Sequence, residues 1–122
     1  MHIDHINISA PMDLLEKVRN FYCEVFDLTS EFRPGFSARG FWLYAQDKAI
    51  IHLSESLEHH MNEKQGYFDH FALQTTDVGA VLERLDHIGT EYRTSHVVDI
   101  GLTQVFFKDP SGTGVELNSF NE

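Results

Sequence analysis

One short pattern occurs twice in the sequence, and each copy places a histidine within an apolar, strand-forming run. The first copy is residues 3–8, IDHINI, and the second is residues 68–73, FDHFAL. Two further side chains of metal-binding type, His52 and Glu116, are separated along the chain by nearly the same interval as His5 and His70. If the two halves of the chain are structural duplicates, these four side chains occupy two equivalent pairs of positions. The pattern therefore favours a pseudo-symmetric metal centre built from strands.

The order of the predicted elements repeats in the same way. Hydrophobic patterns predict a strand at residues 2–9, a helix that begins after Pro11 and ends near Phe26, and strands at residues 29–33, 40–45 and 48–54. The second half predicts a strand at residues 67–74, a helix capped by Thr75, Thr76 or Asp77 and ended by Gly89, and strands at residues 91–98, 102–108 and 114–120. The expected fold class is α+β, with two βαβββ modules at residues 1–54 and 67–122. A linker at residues 55–66 joins them within a single domain, residues 1–122.

Composition and charge argue against several classes of protein. The chain has 122 residues, 42% of them hydrophobic, which is enough for a globular core. Its net charge of −10 and the lack of a basic cluster argue against nucleic-acid and anionic-membrane partners. Cys23 is the only cysteine, so no intrachain disulfide is expected. No apolar run approaches the ~20 residues that span a bilayer, and no secretory leader precedes the first strand, so we expect a cytoplasmic protein.

Strand parity places the four candidate ligands away from the predicted core. Successive side chains of a strand point to opposite faces of the sheet. In each strand, apolar residues form the face that packs on the helix, and the candidate ligand has the opposite parity. It therefore lies on the more polar face of its strand. The four residues are His5, His52, His70 and Glu116. The pattern predicts a sheet with one wet, functional face.

Other polar and aromatic side chains are candidate substrate contacts. Trp42 and Tyr44 share one face of the third strand, and Gln104 and Phe106 share one face of the seventh. The side chains that could hold an anionic substrate group at the cavity mouth are Arg33, Arg39, Tyr92 and Arg93. The ordinary alternatives are a core or dimer-interface role for the aromatic residues and a solvated surface charge for each arginine.

The whole chain resembles the vicinal oxygen chelate superfamily, which includes glyoxalase I, fosfomycin-resistance proteins, bleomycin-binding proteins and extradiol dioxygenases. The segments that carry the resemblance are DHI at residues 4–6, FY at 21–22, DHF at 69–71, FKDPSG at 107–112 and VEL at 115–117. The resemblance implies that the paired modules form a partly closed barrel around a divalent cation. It also implies that the first and fourth strands of each module lie side by side, and that two chains form a homodimer that completes the cavity.

Carried over to this sequence, the family's metal positions match His5, His70 and Glu116. The fourth position is His52, where glyoxalase I has a glutamate that also acts as a base. His52 is therefore predicted either as a metal ligand or in another role, as the catalytic base that moves a proton or as a substrate contact. The predicted catalytic residues are His52 and Glu116, and the predicted metal ligands are His5, His52, His70 and Glu116.

Three imidazoles and one carboxylate suit one divalent transition metal per site, Zn, Ni, Fe, Mn or Co, better than Ca or Mg. The predicted function is a metal-dependent enzyme that uses the metal as a Lewis acid on a small oxygenated metabolite, as a lyase, an isomerase or a ring-cleaving dioxygenase. The alternative is a metal-free, dimeric protein of the bleomycin-resistance type, which sequesters a small molecule. The four ligand-type residues favour the enzyme, because a binding protein has no need of them.

Overall fold

The computed structural model describes residues 1–121, and its elements follow the order βαβββ twice. The first set is β1 (Ile6–Ala10), α1 (Met12–Phe26), β2 (Thr29–Glu31), β3 (Gly40–Ala45) and β4 (Lys48–Glu55). The second set is β5 (His70–Gln74), α2 (Val78–Ile88), β6 (Arg93–Val97), β7 (Leu102–Lys108) and β8 (Gly114–Phe120), with a 3₁₀ turn at Val98–Ile100 after β6. The predicted α+β class and the two βαβββ modules are confirmed.

The chain forms two compact units, Met1–Glu63 and Lys64–Glu122. The sheet of the first unit has the strand order β1-β4-β3-β2, and the sheet of the second has the corresponding order β5-β8-β7-β6. In each sheet the first and last strands of the module pair in parallel, and the other neighbours are antiparallel. Each sheet is open and mixed. The first and fourth strands of each module lie side by side in both units, as the family resemblance implied.

Helix α1 forms because an apolar face recurs at helical spacing behind a proline. Pro11 precedes the first turn, where its missing N–H costs nothing, and its carbonyl accepts from the backbone N–H groups of Leu14 and Leu15. The buried face is Leu14, Leu15, Val18, Phe21, Tyr22 and Val25. Its contacts with β3 and β4 put the core on one side of the first sheet and leave the other side for polar residues.

Helix α2 has a cap at each end. Of the three predicted capping residues, Asp77 is the one that caps: its carboxylate accepts from the backbone N–H of Ala80 at 3.1 Å. Gly89 ends the helix with φ 75°, a left-handed conformation that costs glycine little. The buried residues of α2 are Val81 and Leu85. Within residues 1–121, neither helix has the length and apolarity needed to cross a membrane.

The strands differ from the prediction mainly at their ends. The first strand begins at Ile6 and not at residue 2, and the fifth begins at His70 and not at residue 67. The reason is pairing: the parallel ladders begin with Ile6 opposite Ile51 and with His70 opposite Gly114. His5 is consequently the residue just before a strand. The sixth strand is also shorter than predicted, because residues 98–100 form the 3₁₀ turn.

Gly40 at the start of β3 lies where no side chain fits. A Cβ at this position would overlap the backbone carbonyl oxygen of Leu53 on β4. We expect Gly40→Ala to destabilise the protein by about 1–3 kcal/mol, because the backbones of two paired strands must move apart. Gly35→Ala is the matched control, since no atom lies near the added methyl group there, and it should stay within about 0.5 kcal/mol of the parent. Denaturant unfolding measures both, and equal effects would contradict this view of β3.

Candidate functional site

In the first unit, the parallel pairing of β1 with β4 sets the polar face. His52 lies opposite Asn7 on one side and Trp42 on the other. Its neighbours along the strand, Ile51 and Leu53, are completely buried on the opposite face. The predicted strand parity therefore holds for His52. Next to it, Asn7, Ser9 and Ser54 form a hydrogen-bonded cluster in which the two hydroxyl oxygens are 2.8 Å apart.

The rings on this face form a row. The imidazoles of His5 and His52 have centroids 3.6 Å apart and planes 11° from parallel. The indole of Trp42 stacks on the other side of His52 at 4.1 Å, and the ring of Phe36, tilted by 43° from the indole, lies 6.0 Å from Trp42 at the end of the row. Burial lowers the pKa of His52, and the nearby His5 lowers it further. His52 therefore favours the neutral imidazole, which keeps a lone pair for a proton or a metal.

The ring of His5 is also held from its outer side. Its Nδ1 lies 2.7 Å from a carboxylate oxygen of Asp4, and Nζ of Lys48 lies 3.1 Å from the other carboxylate oxygen. The hydrogen bond from His5, followed by that from Lys48, lowers the pKa of Asp4 to about 2. Asp4 is therefore ionised at neutral pH and accepts both hydrogen bonds.

In the second unit, β5 and β8 bring a histidine and a carboxylate together. Nε2 of His70 lies 3.3 Å from a carboxylate oxygen of Glu116, whose side chain is only 13% exposed. Gln104 on β7 donates to the second carboxylate oxygen at 3.2 Å. Nδ1 of His70 lies 2.7 Å from Asp69. These carboxylates raise the pKa of His70, the hydrogen bond with Asp69 being the largest cause.

The four predicted ligands thus occur as two pairs, one in each unit. His5 contacts His52, and His70 contacts Glu116. Within residues 1–121, no three side chains of His, Cys, Asp or Glu form a group that could hold a metal ion. Each pair supplies two donor groups of the types that bind transition metals.

The predicted substrate residues of the first unit have partners of their own. The pairing of β3 with β4 shifts between Leu43 and Tyr44, so Tyr44 is opposite Ala49, and its hydroxyl donates to the carbonyl of Phe32 at 2.6 Å. Arg33 donates to the carbonyl of Ala38, and its guanidinium lies 4.8 Å from the ring centroid of Phe36. The Nε of Arg33 is buried and has no hydrogen-bond partner among the described residues. Arg39 makes a bidentate ion pair with Glu55.

The second unit contains a cavity of about 430 Å³ beside His70. The residues that line it are Asp69, His70, Glu91, Tyr92, Arg93, Phe106, Phe107, Lys108, Gly114 and Val115. Phe106 is opposite Glu116 in the β7–β8 ladder, and the guanidinium of Arg93 lies 4.2 Å from its ring centroid. The cavity therefore combines a histidine, an aromatic surface and two cations.

Asp4 and Asp69, which accept hydrogen bonds from the two repeated histidines, are not among the predicted site residues, and neither is Phe36 at the end of the row of rings. A signal for the aspartates was present: in both copies of the repeated pattern an aspartate directly precedes the histidine. Phe36 lies in a loop, and no strand parity predicts its position.

The comparisons with known proteins point to one family. The sequence pattern of the family described as the Glyoxalase/Bleomycin resistance protein/Dioxygenase superfamily matches residues 2–117. A comparison with curated protein sequences finds no match.

Several solved structures share the fold. A protein from Bacillus anthracis described as a glyoxalase family protein has a TM-score of 0.78 and 21% identity, over 99% of this chain and 96% of its own. A glyoxylase/bleomycin resistance protein/dioxygenase domain from Frankia sp. EAN1pec also has a TM-score of 0.78, with 18% identity over 100% and 93% of the two chains. A mutant of the fosfomycin resistance protein FosX from Listeria monocytogenes, complexed with Mn(II) and 1S,2S-dihydroxypropylphosphonic acid, has a TM-score of 0.74 and 16% identity over 98% and 92%. At these identities the likeness establishes the fold alone.

His52 and His70 should titrate in a fixed order, because their surroundings shift their pKa values in opposite directions. We expect His52 to lose its proton at a lower pH than His70 in metal-free protein, because burial and His5 disfavour the charged form of His52 while Asp69 and Glu116 favour that of His70. A pH titration followed by NMR of the imidazole carbon-bound protons measures both. In His5→Ala the pKa of His52 should rise and that of His70 should not change. The reverse order in the parent would contradict the description of both pairs.

Proposed function

The chain belongs to the glyoxalase/bleomycin resistance protein/dioxygenase superfamily, the vicinal oxygen chelate proteins, and from this we propose that it is a divalent-metal-dependent enzyme. It acts on a small oxygenated metabolite. Its reaction is that of a lyase, an isomerase or a ring-cleaving dioxygenase, since a metal that acts as a Lewis acid on substrate oxygens would serve each of the three.

The observation that carries the proposal is the pair formed by His70 and Glu116. A largely buried carboxylate is costly unless a cation or donors neutralise it, and here one oxygen of Glu116 faces Nε2 of His70 and the other accepts from Gln104. An imidazole and a carboxylate held side by side on neighbouring strands are the donor types of catalytic transition-metal sites. The Mn(II) complex of FosX, a protein of the same fold, supports a divalent metal.

The residues fit a metal through their donor chemistry. The proposed ligands are His5, His52, His70 and Glu116. The four side chains offer three imidazoles and one carboxylate, and a transition-metal site needs at least three such donors. This donor set suits Zn, Ni, Fe, Mn or Co. We propose a homodimer as the assembled form, and a single domain made of the two modules.

A bound metal would supply Lewis-acid stabilisation of negative charge on substrate oxygens. The chain's own residues have separate tasks around it. His52, with its lowered pKa, is the proposed base that accepts a substrate proton when it is not itself a ligand. Glu116 is the only anionic member of the proposed ligand set, and Gln104 fixes the orientation of its carboxylate.

The proposed substrate contacts lie next to both pairs. Trp42 offers an aromatic face beside His52 and is the proposed surface for a planar part of the substrate. The guanidinium of Arg33, which lies beside the ring of Phe36, is the proposed contact for a substrate oxygen. Tyr44 supports this region by anchoring the loop that begins at Phe32. In the second unit Phe106 lines the cavity, whose volume of about 430 Å³ is that of a small-molecule site. Gln104 is the other proposed contact of this unit, and it donates to Glu116.

Metal content tests the proposal directly. We expect tag-free protein, prepared with each of the five candidate metals in turn, to retain a near-stoichiometric amount of one of them by plasma mass spectrometry. Glu116→Gln keeps the shape of the side chain but removes its charge, so it should lose most of that metal. The control is Glu24→Gln, an exposed position on α1, which should keep it.

The opposite outcome has a defined meaning. A parent protein that retains none of the five metals after supplementation would overturn the enzyme proposal and leave the metal-free binding protein as the function to test. Retention of metal by Glu116→Gln at the parent level would overturn the assignment of Glu116 as a ligand.

A further inference from the structure

The same contact is built twice, once in each unit, beside a proposed ligand. Nδ1 of His5 lies 2.7 Å from Oδ2 of Asp4, and Nδ1 of His70 lies 2.7 Å from Oδ2 of Asp69. In both cases the aspartate is the residue immediately before the histidine, at the entrance to the strand that pairs in parallel with the last strand of the module.

The chemistry of the carboxylate fixes the direction of this hydrogen bond. An ionised carboxylate only accepts, so Nδ1 of each histidine must carry a hydrogen and donate it. In a neutral imidazole the lone pair is then on Nε2. His70 has a carboxylate at each ring nitrogen, Asp69 at 2.7 Å from Nδ1 and Glu116 at 3.3 Å from Nε2. Because the contact with Asp69 is the shorter one, the single hydrogen of the neutral ring is on Nδ1, and the lone pair of Nε2 faces the other member of the proposed ligand pair.

Folding stability gives no reason for this repetition. The side chains of Asp4 and Asp69 are 70% and 91% exposed, and exposed ion pairs contribute little to the free energy of unfolding. An acceptor on the outer nitrogen of a metal-binding histidine, in contrast, orients the ring and raises the basicity of the coordinating nitrogen.

We propose that Asp4 and Asp69 are positioning residues that hold His5 and His70 in the tautomer whose Nε2 binds the metal. This inference rests on the proposed metal-dependent function. The two aspartates differ in one respect: Asp4 shares its carboxylate with Lys48, whereas among residues 1–121 Asp69 has no ion-pair partner except His70. The lysine withdraws part of the negative charge that Asp4 offers to His5, so Asp69 has the larger effect on metal affinity.

The first arm of the test uses metal-free protein. Long-range proton–nitrogen NMR correlations at alkaline pH, where imidazoles are neutral, distinguish the two tautomers of each histidine. We expect His5 and His70 of the parent to carry the hydrogen on Nδ1. In Asp69→Ala, His70 should change to the Nε2–H tautomer, which is the ordinary one in water, while His5 stays unchanged. Asp4→Ala should give the mirror result, so each variant is the control for the other.

The second arm measures zinc affinity by competition with a chromogenic chelator. Loss of an outer-shell partner typically weakens metal binding about 10- to 100-fold, and we expect a loss in that range for Asp69→Ala and a smaller one for Asp4→Ala. The control is Asp99→Ala, an exposed aspartate in the 3₁₀ turn, which should match the parent.

The outcomes separate this inference from the proposed function. An Nε2–H tautomer of His70 in the parent, or no change of tautomer in Asp69→Ala, would overturn the positioning role whatever the metal result. A changed tautomer with unchanged zinc affinity would also overturn it. A parent that binds no zinc, nickel, iron, manganese or cobalt would refute the proposed function, and the tautomer arm alone would then decide whether the aspartates set the orientation of the rings.

Discussion

Parallel pairing between the first and last strands of each module is the constraint on which the candidate site depends. The ladders place Asn7 opposite His52 and Ala72 opposite Glu116. One ladder begins at His70, and the other begins at Ile6, directly after His5. Side chains alternate between the two faces of a strand. A slip of one residue in either ladder would therefore move His52 or Glu116 to the face that packs on the helix. Gly40 and Gly114 allow close backbone approach in these regions, since a Cβ on either would overlap a carbonyl oxygen of the neighbouring chain segment.

Much of this arrangement could be predicted from the sequence, because it follows from local patterns. The alternation of apolar residues along the strand predicted which face His52 occupies. Apolar residues at helical spacing predicted α1, and Gly89 predicted where α2 ends. Features that depend on pairing between distant residues could not be predicted. The shift between Leu43 and Tyr44 and the late start of β1 are properties of a ladder, and the strand pattern alone does not contain them.

The roles within the candidate site were less predictable than its location. The sequence identified His5 and His70 by their repetition, but not the contacts of Asp4 and Asp69, because an exposed aspartate beside a histidine usually has no structural task. The side chains that line the cavity of the second unit come from β5, β6, β7, β8 and the segments before β5 and β6. Their convergence depends on the strand order β5-β8-β7-β6, which follows from the topology and not from any one segment.

The two units use the same scaffold for different chemistry. At equivalent positions of the last strand, one unit has His52 and the other has Glu116. The first unit therefore presents two stacked imidazoles that favour the uncharged state of His52, and the second presents an imidazole and a carboxylate that favour the charged state of His70. A duplicated fold can in this way supply donors of two kinds without a change in backbone.

The ring stack of the first unit has an optical consequence. The chain contains one tryptophan, and its indole lies 4.1 Å from the imidazole of His52 in a nearly parallel arrangement. Indole emission responds to charge and polarity directly beside the ring, so all the tryptophan fluorescence of this protein originates next to His52. A proton, an ion or a small molecule that reaches this histidine changes that emission, and the protein is its own unlabelled sensor of what arrives there.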